Sequence, residues 1–233
     1  MYKTDSHMRM FAMSLLSIGF LAACGDKTET PSSGNAASSG VSSAYEVAGD
    51  HAIGNPDAAV TIVEYASVVC GACANWHNSV YPDLKKKYVE SGKVRFIFRE
   101  FPTPPERLAF AGFTIANCAG EEKFLKNIQV QFKRQRALLS AQDKRAAYEN
   151  LAKASGLSVA EYETCLNDPD WKARYDAIVQ AGSDAGVTST PTFFINGTKA
   201  KAFTMEQFDE ILAPMLGETI EDNSDEATKE AAE

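Results

Sequence analysis

The chain has no apolar run of the roughly 20 residues that a membrane-crossing helix needs. Its longest, FAMSLLSIGFLAA ending at Ala23, stops after about a dozen residues. Positive charge is also scarce. Lys and Arg number 23 against 31 Asp and Glu, and the net charge of −8 argues against a nucleic-acid partner, which would want a basic patch. There are only three histidines and five cysteines, and no second CxxC pair. A structural zinc site would want four such ligands, so the one close pair has no obvious fourth partner. No internal repeat is present. Apolar residues make up 45 %, which argues against wholesale disorder, and 233 residues fit one domain or one domain with an insertion.

What is present begins at the N-terminus. Lys3 and Arg9 precede the short apolar run, which ends in small residues, and this is the layout of an export signal. Leu21-Ala22-Ala23-Cys24 also resembles a bacterial lipobox, in which the cysteine becomes the lipidated first residue of the mature chain. The polar, Gly/Ser-rich stretch 25–44 then reads as a flexible tether. If Cys24 carries lipid, four cysteines remain: Cys70, Cys73, Cys118 and Cys165. Export places them where disulfides persist. The expected divisions are a signal at 1–24, the tether at 25–44, a folded body, and an acidic tail at 218–233.

Within the body, Ala59–Ser67 is rich in Val, Ile and Thr and predicts a strand. Trp76, Val80, Leu84 and Tyr88 recur every four residues and predict a helix, bent by Pro82 and ended at Ser91-Gly92. Val94–Arg99 predicts a second strand, parallel to the first through a right-handed crossover. After the Pro-rich FPTPP at 101–105, some 80 residues read helical. Phe124, Ile128 and Phe132 form one stripe, and Trp171, Tyr175 and Ile178 another. Ser158 and Glu161 have capping-box spacing. Thr192–Ile195 predicts a strand, Asn196-Gly197 a hairpin turn, and Lys199–Phe203 an antiparallel return. Thr204 and Gln207 repeat the capping box before a closing helix whose apolar face carries Phe208, Ile211, Leu212 and Met215. The order is β–α–β, a helical block at 104–186, then β–β–α.

The sequence EYASVVCGACANWH, Glu64–His77, carries the chemistry. As a metal grip, Cys70 and Cys73 would need His77 and a fourth ligand that is not near. As a staple, a disulfide across two residues restricts the unfolded chain little. As a redox pair they have physical support. Cys70 falls between a strand end and a helix start, where unpaired N–H groups favour a thiolate, and Cys73 lies one turn further in. Trp76 reads as core packing and His77 as a solvated or hydrogen-bonded bystander.

CGAC after a strand, the interrupted β–α–β/β–β–α order, Thr190-Pro191 before TFFING and the export signal together resemble the DsbA-like thiol-disulfide oxidoreductases of the thioredoxin superfamily, over roughly residues 46–216. The resemblance implies an α/β thioredoxin fold at 45–103 and 187–217, with a helical domain inserted at 104–186. It implies that Cys70 and Cys73 exchange disulfides without metal or organic cofactor. Glu64 matches the family's buried acid, placed to accept the proton of Cys73; the alternative is a carboxylate on a solvent face. Pro191 matches the cis-proline beside the sulfurs, or else merely marks the loop. Thr190 would offer backbone groups to an extended substrate. The implied partners are thiols of exported proteins and a quinone-linked membrane oxidase, and a monomer is expected. The best-known oxidases carry Pro-His between the cysteines. Gly71-Ala72 offers no such charge, so a milder potential is expected, and a reductase or isomerase of the same fold stays open. So does a non-catalytic binding protein on this scaffold. Cys118 and Cys165, left over within one helical block of an exported chain, are expected to pair as a structural disulfide.

Overall fold

A computed structural model describes residues 45–219. The export signal, Cys24, the tether and the tail beyond 219 lie outside the described residues. The chain runs β1 (His51–Ile53), β2 (Val60–Ala66), α1 (Gly71–Ser79), α2 (Tyr81–Leu84) and β3 (Val94–Glu100). Five helices follow: α3 (Glu106–Cys118), α4 (Glu121–Ser140), α5 (Lys144–Ala154), α6 (Val159–Leu166) and α7 (Pro169–Asp184). Then come β4 (Thr192–Ile195), β5 (Thr198–Ala200) and α8 (Met205–Met215). The sheet order is β1-β3-β2-β4-β5, with β2 parallel to β3 and the other neighbours antiparallel. This is the thioredoxin fold with a helical block between β3 and β4.

Several expectations need correction. Pro82 does more than bend its helix. Its ring and missing N–H split the segment at Val80 into α1 and α2, and Lys85–Val89 continues as a π-helical turn. β1, three residues long, carries too little pattern to be read from sequence; it pairs with β3 from His51↔Phe98 to Ile53↔Phe96. The return strand β5 is shorter and earlier than Lys199–Phe203. The two-residue hairpin loop holds Asn196 at φ 44° and Gly197 at φ 76°, the left-handed pair that matches the sheet's twist. On α8, Phe208 and Leu212 are buried, whereas Met215, near its end, is 41 % exposed.

Every residue of β2 is buried, because the strand lies at the centre of the sheet with both faces covered. Ile62, Glu64 and Ala66 point to one face, and Val63 and Tyr65 to the other. The first face packs on Trp76, Phe96, Phe98, Phe193 and Phe208. Each such side chain contributes roughly 1.5–3 kcal/mol by leaving water. On the second face α7 comes close at Gly182, where a Cβ would sit 2.8 Å from the Tyr65 ring and 3.0 Å from Phe101. Phe124, Ile128 and Phe132 turn α4 toward the first face. A smaller core of Ile115, Tyr148, Leu151 and Tyr162 joins α3, α5 and α6. Both capping boxes form as their spacing predicts.

Candidate active site

β2 delivers the chain to Ser67, and four residues turn it into α1. Ser67 Oγ accepts from the N–H of Val69 and of Thr103, and the Ser67 carbonyl accepts from Cys70 N–H at 3.0 Å. Cys70 is the N-cap of α1, and its sulfur accepts from the Cys73 N–H at 3.4 Å. In the thiol form Cys70 Sγ–H donates to the Thr190 carbonyl at 3.3 Å. Thr190-Pro191 is a cis peptide. The two cysteines are both free thiols here; Cys70 is half-buried and Cys73 is 0 % exposed.

The helix end separates the two thiols chemically. Hydrogen bonding from Cys73 holds the Cys70 thiol down to about 5, helped by Thr190 and by the backbone N–H groups of Cys73 and Ala72, against the opposing effect of burial. Burial first pushes the Cys73 thiol well above the ordinary range, and the neighbouring Cys70 and the Glu64 charge push it further. At pH 7 this leaves Cys70 with roughly a hundred thiolates per thiol and Cys73 protonated. The arrangement therefore has an accessible nucleophile and leaving group over a shielded resolving thiol.

Glu64 is fully buried on the α1 face of β2. Its Oε2 lies 2.8 Å from His77 Nε2, and its Oε1 has no hydrogen-bond partner. His77 is buried at 1 % exposure, stacks on Phe132 and meets Gln129 Nε2 through Nδ1 at 2.6 Å. Of the two expected states, solvated or hydrogen-bonded, it takes the hydrogen-bonded one, and four residues after Cys73 it shares that residue's inward helix face. Its partner Gln129, on α4, could not be read from local pattern. Trp76 is fully buried, as its place in the periodicity predicts. Among the described residues no group of three or more His, Cys, Asp or Glu side chains is arranged to hold a metal ion, and no helix is long and apolar enough to cross a membrane. Cys118 and Cys165 are joined in a disulfide between the ends of α3 and α6, remote in sequence from Cys70.

A cysteine pair at the mouth of the first helix of this sheet, facing a cis-proline loop, defines the thioredoxin class of site. The chain belongs to the thioredoxin family: the family model described as "Thioredoxin" matches residues 46–213. Over 176 residues it is 30 % identical to a protein of Rickettsia prowazekii named "Putative protein-disulfide oxidoreductase", covering 72 % of this chain and 61 % of the relative. The chain spans about three fifths of the length of the curated relatives it matches. Among solved structures it is similar to alpha-DsbA1 of Wolbachia pipientis, with a TM-score of 0.67 and 23 % identity over 74 % of this chain and 93 % of that one. It is also similar to oxidised BdbD of Bacillus subtilis, with a TM-score of 0.60 and 21 % identity over 74 % and 95 %.

Proposed function

We propose that this chain is a thiol-disulfide oxidoreductase that introduces disulfides into exported proteins through Cys70 and Cys73. The observation that carries the reading is the placement of Cys70 as the N-cap of α1, its sulfur 3.4 Å from Cys73 N and 3.3 Å from the carbonyl of the cis Thr190-Pro191 peptide, with Cys73 fully buried. This holds the Cys70 thiol down while burial pushes the Cys73 thiol up. In the oxidised form the two are bonded. A substrate thiolate attacks Cys70 Sγ, the Cys70–Cys73 bond breaks, and Cys73 leaves and takes up a proton. That proton comes from solution, and Glu64, the buried carboxylate whose charge acts on Cys73, would accept it when Cys73 is next oxidised. A second substrate thiolate attacks the substrate sulfur of the mixed disulfide, and Cys70 leaves as the thiolate held at the helix end. The substrate loses two electrons and the protein gains them. The Thr190 carbonyl lies 3.3 Å from Cys70 Sγ, and the backbone of an extended substrate would pair with Thr190.

A stabilised leaving thiolate favours the reduced protein and so makes the disulfide oxidising. A value of about 5 lies between about 7 for thioredoxin and about 3.5 for DsbA. This supports an oxidant milder than DsbA, in keeping with Gly71-Ala72 between the cysteines. Cys24 would anchor the protein to the envelope membrane by its lipid, leaving the folded body among exported thiols, and a quinone-linked membrane oxidase would take the electrons.

The test is equilibration of the full chain with glutathione redox buffers, together with oxidation of a reduced, unfolded secretory protein. A potential between about −120 and −270 mV, with substrate oxidation lost in Cys70→Ser, is the expected result. A potential at or below about −270 mV would turn the reading to a reductase. Unchanged function in Cys70→Ser would turn it to a non-catalytic binding protein.

A further inference from the structure

Cys70 owes its position to more than its own helix. The loop from Ser67 to Cys70 has two carbonyls, Val68 and Cys70, that face the helical block. Both are met by one side chain: Gln135 Nε2 donates to Val68 O at 2.9 Å and to Cys70 O at 2.9 Å. Gln135 sits in the last two turns of α4, 65 residues from Cys70, and is buried at 8 % exposure. A primary amide has two N–H groups, and here each satisfies one carbonyl of the same loop. Two other glutamines of α4 do different work: Gln129 meets His77, and Gln131 donates to the Gly112 carbonyl.

The consequence is geometric. A sulfur at a helix N-terminus is stabilised as an anion by the N–H groups aimed at it, so the loop that carries it must hold its direction. Ser67 fixes the loop's N–H side, through the bonds to Val69 and Cys70. The Cys70 carbonyl also accepts from Ala74 N–H of α1 at 3.1 Å, so there Gln135 adds to a bond already made, whereas the Val68 carbonyl is held by Gln135. The two bonds from Gln135 tie this side of the loop to α4. We infer that Gln135 is a positioning residue for Cys70, by which the helical segment inserted in the fold holds the nucleophile loop in its working geometry. The helical block thereby acts on the reacting sulfur without touching it.

The inference rests on the reading of Cys70 as the exchange nucleophile, and its test needs no substrate, so the two fail separately. The probe is iodoacetamide alkylation of Cys70 in the reduced full chain across a pH series. Gln135→Met keeps the length and apolar stem but removes both donors. It is expected to raise the alkylation midpoint by about half to one pH unit, the size of one ordinary hydrogen bond. The glutathione equilibrium should move about three- to tenfold toward the disulfide form. Gln135→His, which keeps one N–H, should recover part of both changes. Asn127→Ala removes another buried polar side chain of α4 that bonds Lys123 and Ser155 and not the loop; it should leave the midpoint where it is. If Gln135→Met does not fold, Gln135→Ser, which leaves room for water, carries the same comparison. A folded Gln135 variant without donors whose midpoint matches the unsubstituted chain, or an equal change in Asn127→Ala, would overturn the inference.

Discussion

His77 Nε2 lies 2.8 Å from Glu64 Oε2, and neither side chain reaches solvent. Gln129 fixes the direction of that bond. An amide nitrogen can only donate, so His77 Nδ1 accepts from Gln129, and Nε2–H is left to donate to the carboxylate. Three elements, β2, α1 and α4, thus meet in one chain of polar groups under Cys73. Removing one partner leaves the other buried and alone, which costs more than removing both. His77→Leu is expected to destabilise the protein by about 3–5 kcal/mol. The double variant Glu64→Leu with His77→Leu should lose clearly less than the sum of the single losses. Urea denaturation of the four proteins gives the coupling, and additive losses would dismiss the pair as a unit.

The reduced protein should gain stability with pH in a range set by Cys70. Its thiol titrates at about 5 when folded and near 8.5–9 when unfolded. Between those values the unfolded chain binds one more proton than the native chain, so unfolding becomes harder as pH rises. That contribution is complete above the unfolded value and is lost as pH falls through about 5. The oxidised protein, with no thiol to titrate at Cys70, lacks it. Denaturation of both forms at pH 5 and pH 8.5 should therefore show the reduced form gaining on the oxidised one at the higher pH. Equal changes in the two forms would contradict an acidic Cys70.

The cysteine pair was legible because its chemistry is local: a strand end, two residues, a helix start. Once Cys24 was set aside, Cys118 and Cys165 were the two cysteines left outside the CGAC pair, and the structure joins them. Glu64 was ambiguous, since period-two alternation offers one wet face, and β2 has none. β1 was invisible because three residues are shorter than any periodic signal, and its place comes from pairing with β3. Gln129 and Gln135 were out of reach for a different reason. Polar residues on a helix read as its solvent face, and their partners lie 52 and 65 residues away.

Two buried groups near the C-terminal end of β3, Glu100 and the neighbouring His51, should give stability a maximum in pH. Burial, and then the charge of Arg174, hold the His51 imidazole down to about 3. Glu100, with both carboxyl oxygens unpartnered, is pushed up to about 7 by burial and by the charges of Asp50 and Glu121, against its own N–H and Arg174. His51 Nδ1 lies 2.9 Å from Glu121, and its Nε2 3.7 Å from Glu100, so the two titrations influence each other. For His51 the unfolded chain gains a proton below about 6.5 that the native chain refuses, so stability falls from there toward pH 3. For Glu100 the native chain keeps a proton that the unfolded chain loses above about 4.5, so stability falls as pH rises toward 7. Glu100→Gln removes the second effect. It should be more stable than the unsubstituted protein above pH 7, by about 3 kcal/mol at most, with the advantage gone by pH 4.5. A constant difference across that range would show that Glu100 is ionised throughout in the folded protein.

The Cys118–Cys165 bond joins α3 to α6 across 47 residues of sequence and lies in the helical block, away from the thiols of α1. A loop of that length gives about 4 kcal/mol in the chain-entropy account, through the unfolded state. Replacing both cysteines by alanine should cost up to that amount in denaturation. The Cys70 alkylation midpoint should not move, because Cys73, Thr190 and the first N–H groups of α1 belong to other segments, and α4, which carries Gln135, keeps its packing through Phe124, Ile128 and Phe132. The two readouts separate a structural bond from a redox relay. A structural bond lowers stability and leaves the glutathione equilibrium of Cys70–Cys73 alone. A relay would exchange electrons with that pair, and the double variant would then change the number of electrons the protein takes up, from four to two, at potentials within the glutathione range. Titration with reduced glutathione, followed by counting free thiols, is expected to release the Cys70–Cys73 pair first and to leave Cys118–Cys165 closed until stronger reductant is added.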